Sequence, residues 1–144
     1  MCIRDSSIGY VELAYAISNN MNYTQMVNQA GKTVTANGAS VNAAMAEFAG
    51  AFTDKLTATI VDGSSDGAWP ITGYTYIVLH TTSMTDCVKA QKIVDFLVWA
   101  QTDTGAQNGA TSLGYSVLPD AVRQQVLAKL GQVTCNGQPV TINH

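Results

Sequence analysis

Side chains suited to acid–base chemistry are few in this chain of 144 residues. Its two histidines are His80, which follows an apolar run, and His144, the last residue. A histidine general base must lie within hydrogen-bond reach of a nucleophile or of the proton it removes. No Ser/His/Asp or Cys/His arrangement can be assembled here, and a lone histidine at a strand end more often packs or caps. We therefore expect His80 to be structural and the chain not to be an enzyme.

Binding an anion such as phosphate without a metal calls for other groups. Backbone N–H groups at helix N-termini, Ser or Thr hydroxyls and commonly an Arg supply the hydrogen bonds. The arginines are Arg4, near the start, and Arg123, in the last predicted helix. The glycine-rich loop 63–67 lacks the Lys and the following helix of a P-loop, so we predict a turn. Three aspartates are expected to lie solvated on loops: Asp54, Asp62 and Asp66.

Composition limits the classes of function. Hydrophobic residues make up 47% of the chain and charged residues 12%, with a net charge of −3. No basic cluster is present, so nucleic acid is not an expected partner. No apolar run is long enough to span a membrane, and no Cys-x-x-Cys or Cys/His spacing indicates zinc. Low charge with many Thr, Ser, Asn, Gln and Gly residues suits a periplasmic or extracellular surface, and we expect no cofactor.

Alternating helix and strand signals indicate an α/β organisation. A helix is predicted after a Ser40 N-cap, another after a Thr85 or Asp86 cap, and a last one from Leu118-Pro119 to Gly131. The remaining predicted elements are a short strand at 8–11 leading into a short helix at 12–19, an extended hairpin at 23–28 and 32–35, and strands at 56–61 and 74–79.

The segment from Asp66 to His80 is the most informative part of the chain. Pro70 fixes its own φ and favours an extended Trp69, so the chain leaves the 63–67 turn in a fixed direction. It then enters Tyr74–Leu79, where apolar residues do not alternate cleanly with polar ones. Such a run is typical of a strand covered on both faces. Trp69 and Pro70 are therefore candidates for a rigid crossing between two units.

Four collinear stretches resemble the phosphate-binding proteins of bacterial ABC transporters, the PstS-type solute receptors. The similarity runs in the order of that family from about Ile8 to about Leu130, and includes Trp-Pro-Ile-Thr followed by an aromatic–aliphatic strand ending in His80. The stretches that carry it are Ser7 to Ala16, Tyr23 to Val34, Trp69 to His80, and the two helix starts Val94 to Ala100 and Leu113 to Asp120.

The resemblance implies a periplasmic-binding-protein-like (type II) two-lobe α/β fold, truncated to its C-terminal half. Residues 1–6 are then a non-native leader, 7–66 the end of the second lobe, 67–73 the hinge crossing with Trp69 and Pro70, and 74–144 the returning segment of the first lobe. Met-Cys-Ile-Arg-Asp-Ser matches one reading frame of a transposon-based sequencing adapter and has no features of a signal peptide. An ordinary polar N-terminus is the alternative.

The resemblance also implies the function and its partners. A receptor of this kind captures inorganic phosphate in the cleft between the lobes and delivers it to a membrane permease and ATPase, outside the cytoplasm and with or without a lipid anchor. The family's main phosphate contacts precede the Ile-Gly-Tyr segment, so we expect them upstream of Ser7 and carry none over. No Ser-Gly-Thr turn occurs here, and this chain alone is not expected to bind phosphate with native affinity.

The three cysteines can be paired in one sensible way under that resemblance. If Cys2 belongs to the leader, Cys87 and Cys135 remain, and an exported receptor would favour a disulfide between them. Unpaired thiols in a cytoplasmic protein are the alternative. Tyr10 and Trp69 are expected either in the core or along the cleft and hinge.

Two other functions remain open. A receptor for another oxyanion, such as sulfate or molybdate, would have the same lobes, because the anion-selecting residues are expected outside this chain. A small exported hydrolase is the alternative from another class, and a nucleophile beside a His or metal cluster would distinguish it.

Overall fold

The computed structural model describes residues 8–142 and contains both helices and short antiparallel sheets. This confirms the mixed α and β composition predicted from the sequence. In chain order the elements are α1 (Leu13–Ser18), β1 (Met26–Val27), β2 (Thr33–Val34), α2 (Gly38–Glu47), α3 (Cys87–Thr102), α4 (Thr104–Ser112), α5 (Asp120–Leu130), β3 (Thr134–Cys135) and β4 (Gln138–Pro139).

The starts of α2, α3 and α4 are fixed by side-chain caps. Asp86 accepts a hydrogen bond from the Lys89 N–H at 3.0 Å and begins α3 as predicted. The prediction for α2 was wrong by one turn, because Asn37 is its N-cap and Ser40 lies at the third helical position. The two residues form a reciprocal capping box, in which each side chain bonds the other's backbone N–H at 2.9–3.1 Å. The Ser40 hydroxyl therefore completes the cap from inside the helix.

The largest buried cluster lies between α3, the end of α5 and the β3–β4 hairpin. One face of α3 contributes residues at helical spacing, and strand β3 meets Met84 through a single parallel bridge. The disulfide partners Cys87 and Cys135 link the start of α3 to β3, with 2.01 Å between the sulfur atoms. The buried members of the cluster are Ala90, Val94, Val98, Leu130, Val133, Cys135 and Val140.

The turn between α4 and α5 packs against the N-terminal elements. Gly114, at a φ of +86°, lies close to α1, where a Cβ atom would come within 3.3 Å of the Ala14 Cα. Ser116 approaches the Gly38 carbonyl at 3.4 Å, and the Gln125 side-chain amide donates to the Ala49 carbonyl at 2.9 Å. Residues on the two sides of the predicted 67–73 crossing are thus in direct contact.

Three segments predicted as strands lack sheet pairing within residues 8–142, namely 8–11, 56–61 and 74–79. The 56–61 segment begins with Leu56 at a φ of +57°, where a turn closed by Thr53 interrupts the extended chain, and only Val61 forms a bridge, to Ile71. Tyr74–Leu79 has no backbone hydrogen bond to another part of the described chain. The apolar sequence of this segment favours a strand, but no described segment supplies a neighbouring strand for it.

We predict that the disulfide contributes substantially to the stability of this core. In a Cys2→Ser background, replacing Cys87 and Cys135 by Ser is expected to lower the free energy of unfolding by about 4 kcal/mol, because the bridge closes a loop of about fifty residues in the unfolded chain. Urea unfolding monitored by circular dichroism measures the difference. Cys2→Ser alone is the control, and an unchanged urea midpoint in the Cys87/Cys135 variant would contradict the prediction.

Candidate functional site

The loop from Asp62 to Pro70, called here the 62–70 loop, leads directly into the predicted hinge residues. Its two ends are joined by a hydrogen bond from the Asp62 N–H to the Pro70 carbonyl at 2.8 Å. The flanking residues Val61 and Ile71 form an antiparallel bridge just outside it. The loop is therefore closed at its base, and whatever fixes its body also fixes the direction in which the chain leaves it.

Asn28 holds one side of the 62–70 loop. This residue lies in the β1–β2 hairpin and is only 5% exposed. Its side-chain N–H groups donate to the carbonyl oxygens of Ser65, Asp66 and Ala68 at 2.9–3.2 Å. Its side-chain oxygen accepts from the Lys32 N–H at 3.0 Å, so both ends of the amide have partners. One buried side chain thus joins the hairpin to three backbone carbonyls of the loop.

Glu47, the last residue of α2, holds the other side. Its carboxylate accepts hydrogen bonds from the Ser64 N–H and hydroxyl, both at 2.8 Å, and from the Ser65 N–H at 3.1 Å. These bonds, chiefly the one from the Ser64 N–H, lower the pKa of Glu47 from its usual value of 4.5. Gly63 leaves room for the carboxylate, because a Cβ atom there would lie 2.6 Å from a Glu47 oxygen.

The predicted hinge residues are themselves tied to α2. The Trp69 N–H donates to the Ser40 carbonyl at 3.0 Å, and the Trp69 carbonyl accepts from the buried Thr72 hydroxyl at 2.8 Å. The side chains of Trp69 and Pro70 are both partly buried. The backbone on either side of Pro70 is therefore fixed by hydrogen bonds as well as by the proline ring.

An aromatic cluster lies just after the predicted hinge residues. Tyr74 packs against Phe52 with 5.3 Å between ring centroids and meets Tyr76 edge-on at 6.2 Å. The Tyr76 hydroxyl bonds both the N–H and the carbonyl of Ala58, at 3.1 and 2.9 Å. Burial, and to a lesser extent the neighbouring Tyr76, raises the pKa of Tyr74 above 10.0. Within residues 8–142, the segment that follows the predicted hinge residues is thus held by its aromatic side chains and not by backbone pairing.

The other residues examined as candidates do not converge with this loop into a reactive group. His80 is exposed and approaches the Ser83 hydroxyl at 3.3 Å, while Tyr10 is 99% exposed. Arg123 forms an ion pair with Asp120 on α5. Asp54, Asp62 and Asp66 are exposed, and Asp66 lies 3.9 Å from Lys32. The predicted leader 1–6, which contains Cys2 and Arg4, and the terminal His144 lie outside the described residues.

Between residues 8 and 142, no group of three or more His, Cys, Asp or Glu side chains could hold a metal ion. Over the same range, no helix combines the length and apolar character needed to cross a membrane.

The sequence did not reveal Asn28 and Glu47. The Asn28 contacts join residues 37–40 positions apart, which no local pattern encodes. Glu47 did offer a signal, because a carboxylate in the last turn of a helix opposes the helix dipole unless another group binds it. Ser64 and Ser65, which follow Gly63, supply the hydrogen bonds that bind this carboxylate.

Comparison with known proteins finds phosphate-binding proteins. The chain is 34% identical to the phosphate-binding protein PstS of Xylella fastidiosa over 122 residues, which are 85% of this chain and 33% of the relative. It is 32% identical over 124 residues to the PstS protein of Pasteurella multocida, covering 35% of that protein. No protein family model matches the chain.

A second group of relatives carries a different name. Over 134 residues, 92% of this chain, it is 29% identical to a protein of Acanthamoeba polyphaga mimivirus named as a serine/threonine-protein kinase/receptor, of which the match covers 8%. The chain thus spans about a third of the length of its PstS relatives, and a much smaller share of the mimivirus protein. The share of the PstS relatives that the chain matches, about a third, is smaller than the C-terminal half that the resemblance led us to expect.

We predict that Glu47 makes the stability of the 62–70 loop depend on pH. Its pKa in the folded chain is below 4.5, so its stabilising effect is complete above pH 4.5 and is lost as the pH falls through the folded value. Thermal unfolding measured from pH 6 down to pH 3 should show a loss of stability that is smaller in Glu47→Gln. Parallel curves for the two proteins would contradict this assignment.

We also predict that Asn28 is the stronger of the two anchors. Asn28→Ala removes four hydrogen bonds and takes the side-chain donor from the carbonyl of the buried Ala68, which should lower the free energy of unfolding by about 2–3 kcal/mol. Asn22→Ala is the matched control, since Asn22 is exposed and should change stability by less than about 0.5 kcal/mol. Equal urea midpoints for the two variants would show that the amide contacts are dispensable.

Proposed function

We propose that this chain is part of an extracytoplasmic solute-binding protein that binds inorganic phosphate. The observation that carries the proposal is the 34% identity to a phosphate-binding protein over 122 residues, which include the Trp69-Pro70 region. Matches to the PstS proteins of Pasteurella multocida and Haemophilus influenzae, at 32% and 30% identity, support the same ligand class.

The proposed architecture is that of a two-lobe receptor with a cleft between the lobes. Residues 7–66 would belong to one lobe, 74–144 to the other, and 67–73 to the crossing. The hydrogen bonds that hold the 62–70 loop support this assignment, because a hinge must transmit a fixed direction while few residues change their dihedral angles. Asn28, Glu47 and Ser40 would then belong to the frame that fixes the direction in which the chain leaves the loop at Trp69 and Pro70.

The mechanism would be capture by lobe closure. Open and closed forms are in equilibrium, and phosphate shifts the population toward the closed form because it contacts both lobes at once. The closed receptor would deliver phosphate to a membrane permease driven by an ATPase. Its location would be the periplasm or the cell exterior, and its membrane contact would be through the transporter or a lipid anchor.

Most of the phosphate contacts would come from polypeptide upstream of Ser7. Arg123, the arginine within the described residues, is paired with Asp120. Glu47 already occupies the N–H groups of Ser64 and Ser65. These donor groups are therefore engaged within the chain, which supports placing the ligand set elsewhere in the receptor.

A second candidate is a solute-sensing domain within a larger receptor. It is favoured by the match of 92% of this chain to the mimivirus protein named as a kinase/receptor. Because the matched region is 8% of that protein, the comparison concerns one domain and carries no kinase activity to this chain. Receptors for sulfate or molybdate remain alternatives within the binding class, and an exported hydrolase is a less favoured one.

Isothermal titration tests the ligand. We expect the protein encoded by the complete reading frame to bind phosphate, with sulfate at the same concentration giving no heat, whereas the 144-residue chain alone gives none with either anion. Molybdate serves as a third ligand. Sulfate or molybdate binding in place of phosphate would overturn the assigned anion, and tight phosphate binding by the 144-residue chain would overturn the placement of the ligand residues upstream.

A further inference from the structure

The disulfide between Cys87 and Cys135 joins two cysteines in unlike surroundings. Cys87 is exposed and is the first residue of α3, whereas Cys135 is 3% exposed and belongs to the apolar cluster between α3, α5 and the β3–β4 hairpin. Thiol–disulfide exchange needs both a thiolate and access to the sulfur atom that is attacked. The order in which the two cysteines react with a partner from solvent therefore depends on this asymmetry.

The surroundings of Cys87 favour its thiolate when the bond is reduced. A helix N-terminus stabilises a neighbouring anion through its free N–H groups and the helix dipole. The side-chain amide of Asn136 lies at the turn of the β3–β4 hairpin, where it donates to the Thr85 carbonyl at 3.2 Å and approaches the Cys87 Sγ at 3.5 Å. A hydrogen bond to an anion favours it over the neutral thiol. The Asp86 carboxylate opposes this effect, but it already accepts from the Lys89 N–H at 3.0 Å.

An open depression gives a partner access to Cys87. It has a volume of about 410 Å³ and lies along the first turns of α3. Val88, which is 69% exposed, supplies apolar surface, and Lys92 and Asp95 supply opposite charges. Because this lining is mixed, it repels neither an apolar reagent nor a charged one. Access to Cys87 is therefore set by its exposure and not by the charge of the partner.

Cys135 is enclosed by the elements around it. Its strand β3 pairs with β4 and meets Met84 through the parallel bridge, and Ala90 and Val94 of α3 lie in the same buried cluster. Apolar burial disfavours a thiolate, and a reagent from solvent reaches this sulfur only after the hairpin opens locally. Cys135 is thus placed to react with Cys87, whose Cα lies 5.5 Å away, and not with a partner from solvent.

We propose that Cys87 is the site at which an external disulfide oxidises the folded chain, and that Cys135 is the resolving cysteine. The Cys87 thiolate attacks one sulfur atom of the external disulfide, whose S–S bond breaks and releases a thiolate. The Cys135 thiolate then attacks the Cys87 sulfur, which forms the native bond and expels the second thiolate. The two cysteine protons pass to the two released thiolates, so the chain loses two electrons and the external disulfide becomes two thiols. The proposal concerns the bridge alone and holds for any solute that the receptor binds.

Two single-cysteine chains test the order of reaction. In a Cys2→Ser background, Cys135→Ser leaves only the Cys87 thiol and Cys87→Ser leaves only the Cys135 thiol. With oxidised glutathione as the probe, we expect the Cys87 thiol to form the mixed disulfide at least about 100-fold faster, because Cys135 reacts only after local opening. In concentrated urea the two rates should converge, which controls for intrinsic reactivity. Equal rates without urea would overturn the proposal, because the fold would then not select the reactive cysteine.

A second experiment keeps both cysteines and the native bond. The oxidised Cys2→Ser chain is incubated with reduced glutathione, and free thiols are then blocked with N-ethylmaleimide. Because each exchange step is reversible, glutathione should attack Cys87 and form the same mixed disulfide. Trypsin separates the two cysteines, since Cys87 lies in peptide 56–89 and Cys135 in peptide 130–144. Mass spectrometry should find the glutathione adduct on peptide 56–89. Its absence there, or an equal amount on peptide 130–144, would overturn the proposal.

Discussion

The side-chain amide of Asn28 is the contact on which the organisation around the proposed hinge depends. It is buried, both of its ends have partners, and it joins a hairpin to three carbonyls of a loop nearly forty residues away. An amide is well suited to this role because it donates and accepts without carrying a charge that burial would penalise. Glu47 holds the 62–70 loop from the opposite side, where its charged carboxylate remains exposed to water.

The helix α3 performs the corresponding role for the C-terminal part of the structure. Its buried face packs against the end of α5 and the β3–β4 hairpin. The disulfide from Cys87 fixes the start of the helix to β3, so the hairpin is held both by a covalent bond and by apolar contacts. The two small sheets are each two-stranded, and such hairpins depend on packing of this kind because they are marginal alone.

Local signals predicted the helices well and the strands poorly, for a physical reason. The caps and apolar spacing of α3 and α5 lie within a few residues of one another, and the structure confirms both helices. A strand needs a neighbouring strand, and the sequence of Tyr74–Leu79 shows only a high strand propensity, not which segment would pair with it. Leu56 shows a second cause, because its left-handed backbone starts a turn where alternation alone predicted an extended chain. Asn28 could not be predicted, since its partners are backbone atoms that any residue type possesses.

Because the partners of Asn28 are backbone atoms, some positions of the 62–70 loop can change in evolution more freely than others. The Asn28 side chain donates to backbone carbonyl groups, so the side chains at positions 65 and 66 can vary without loss of these hydrogen bonds. Gly63 is more restricted, because a Cβ atom there would lie 2.6 Å from a Glu47 carboxylate oxygen and would displace the carboxylate from Ser64 and Ser65. Ala68, fully buried, is similarly restricted. Sequence drift in this loop should therefore concentrate at its tip, while the exit direction toward Pro70 is inherited unchanged.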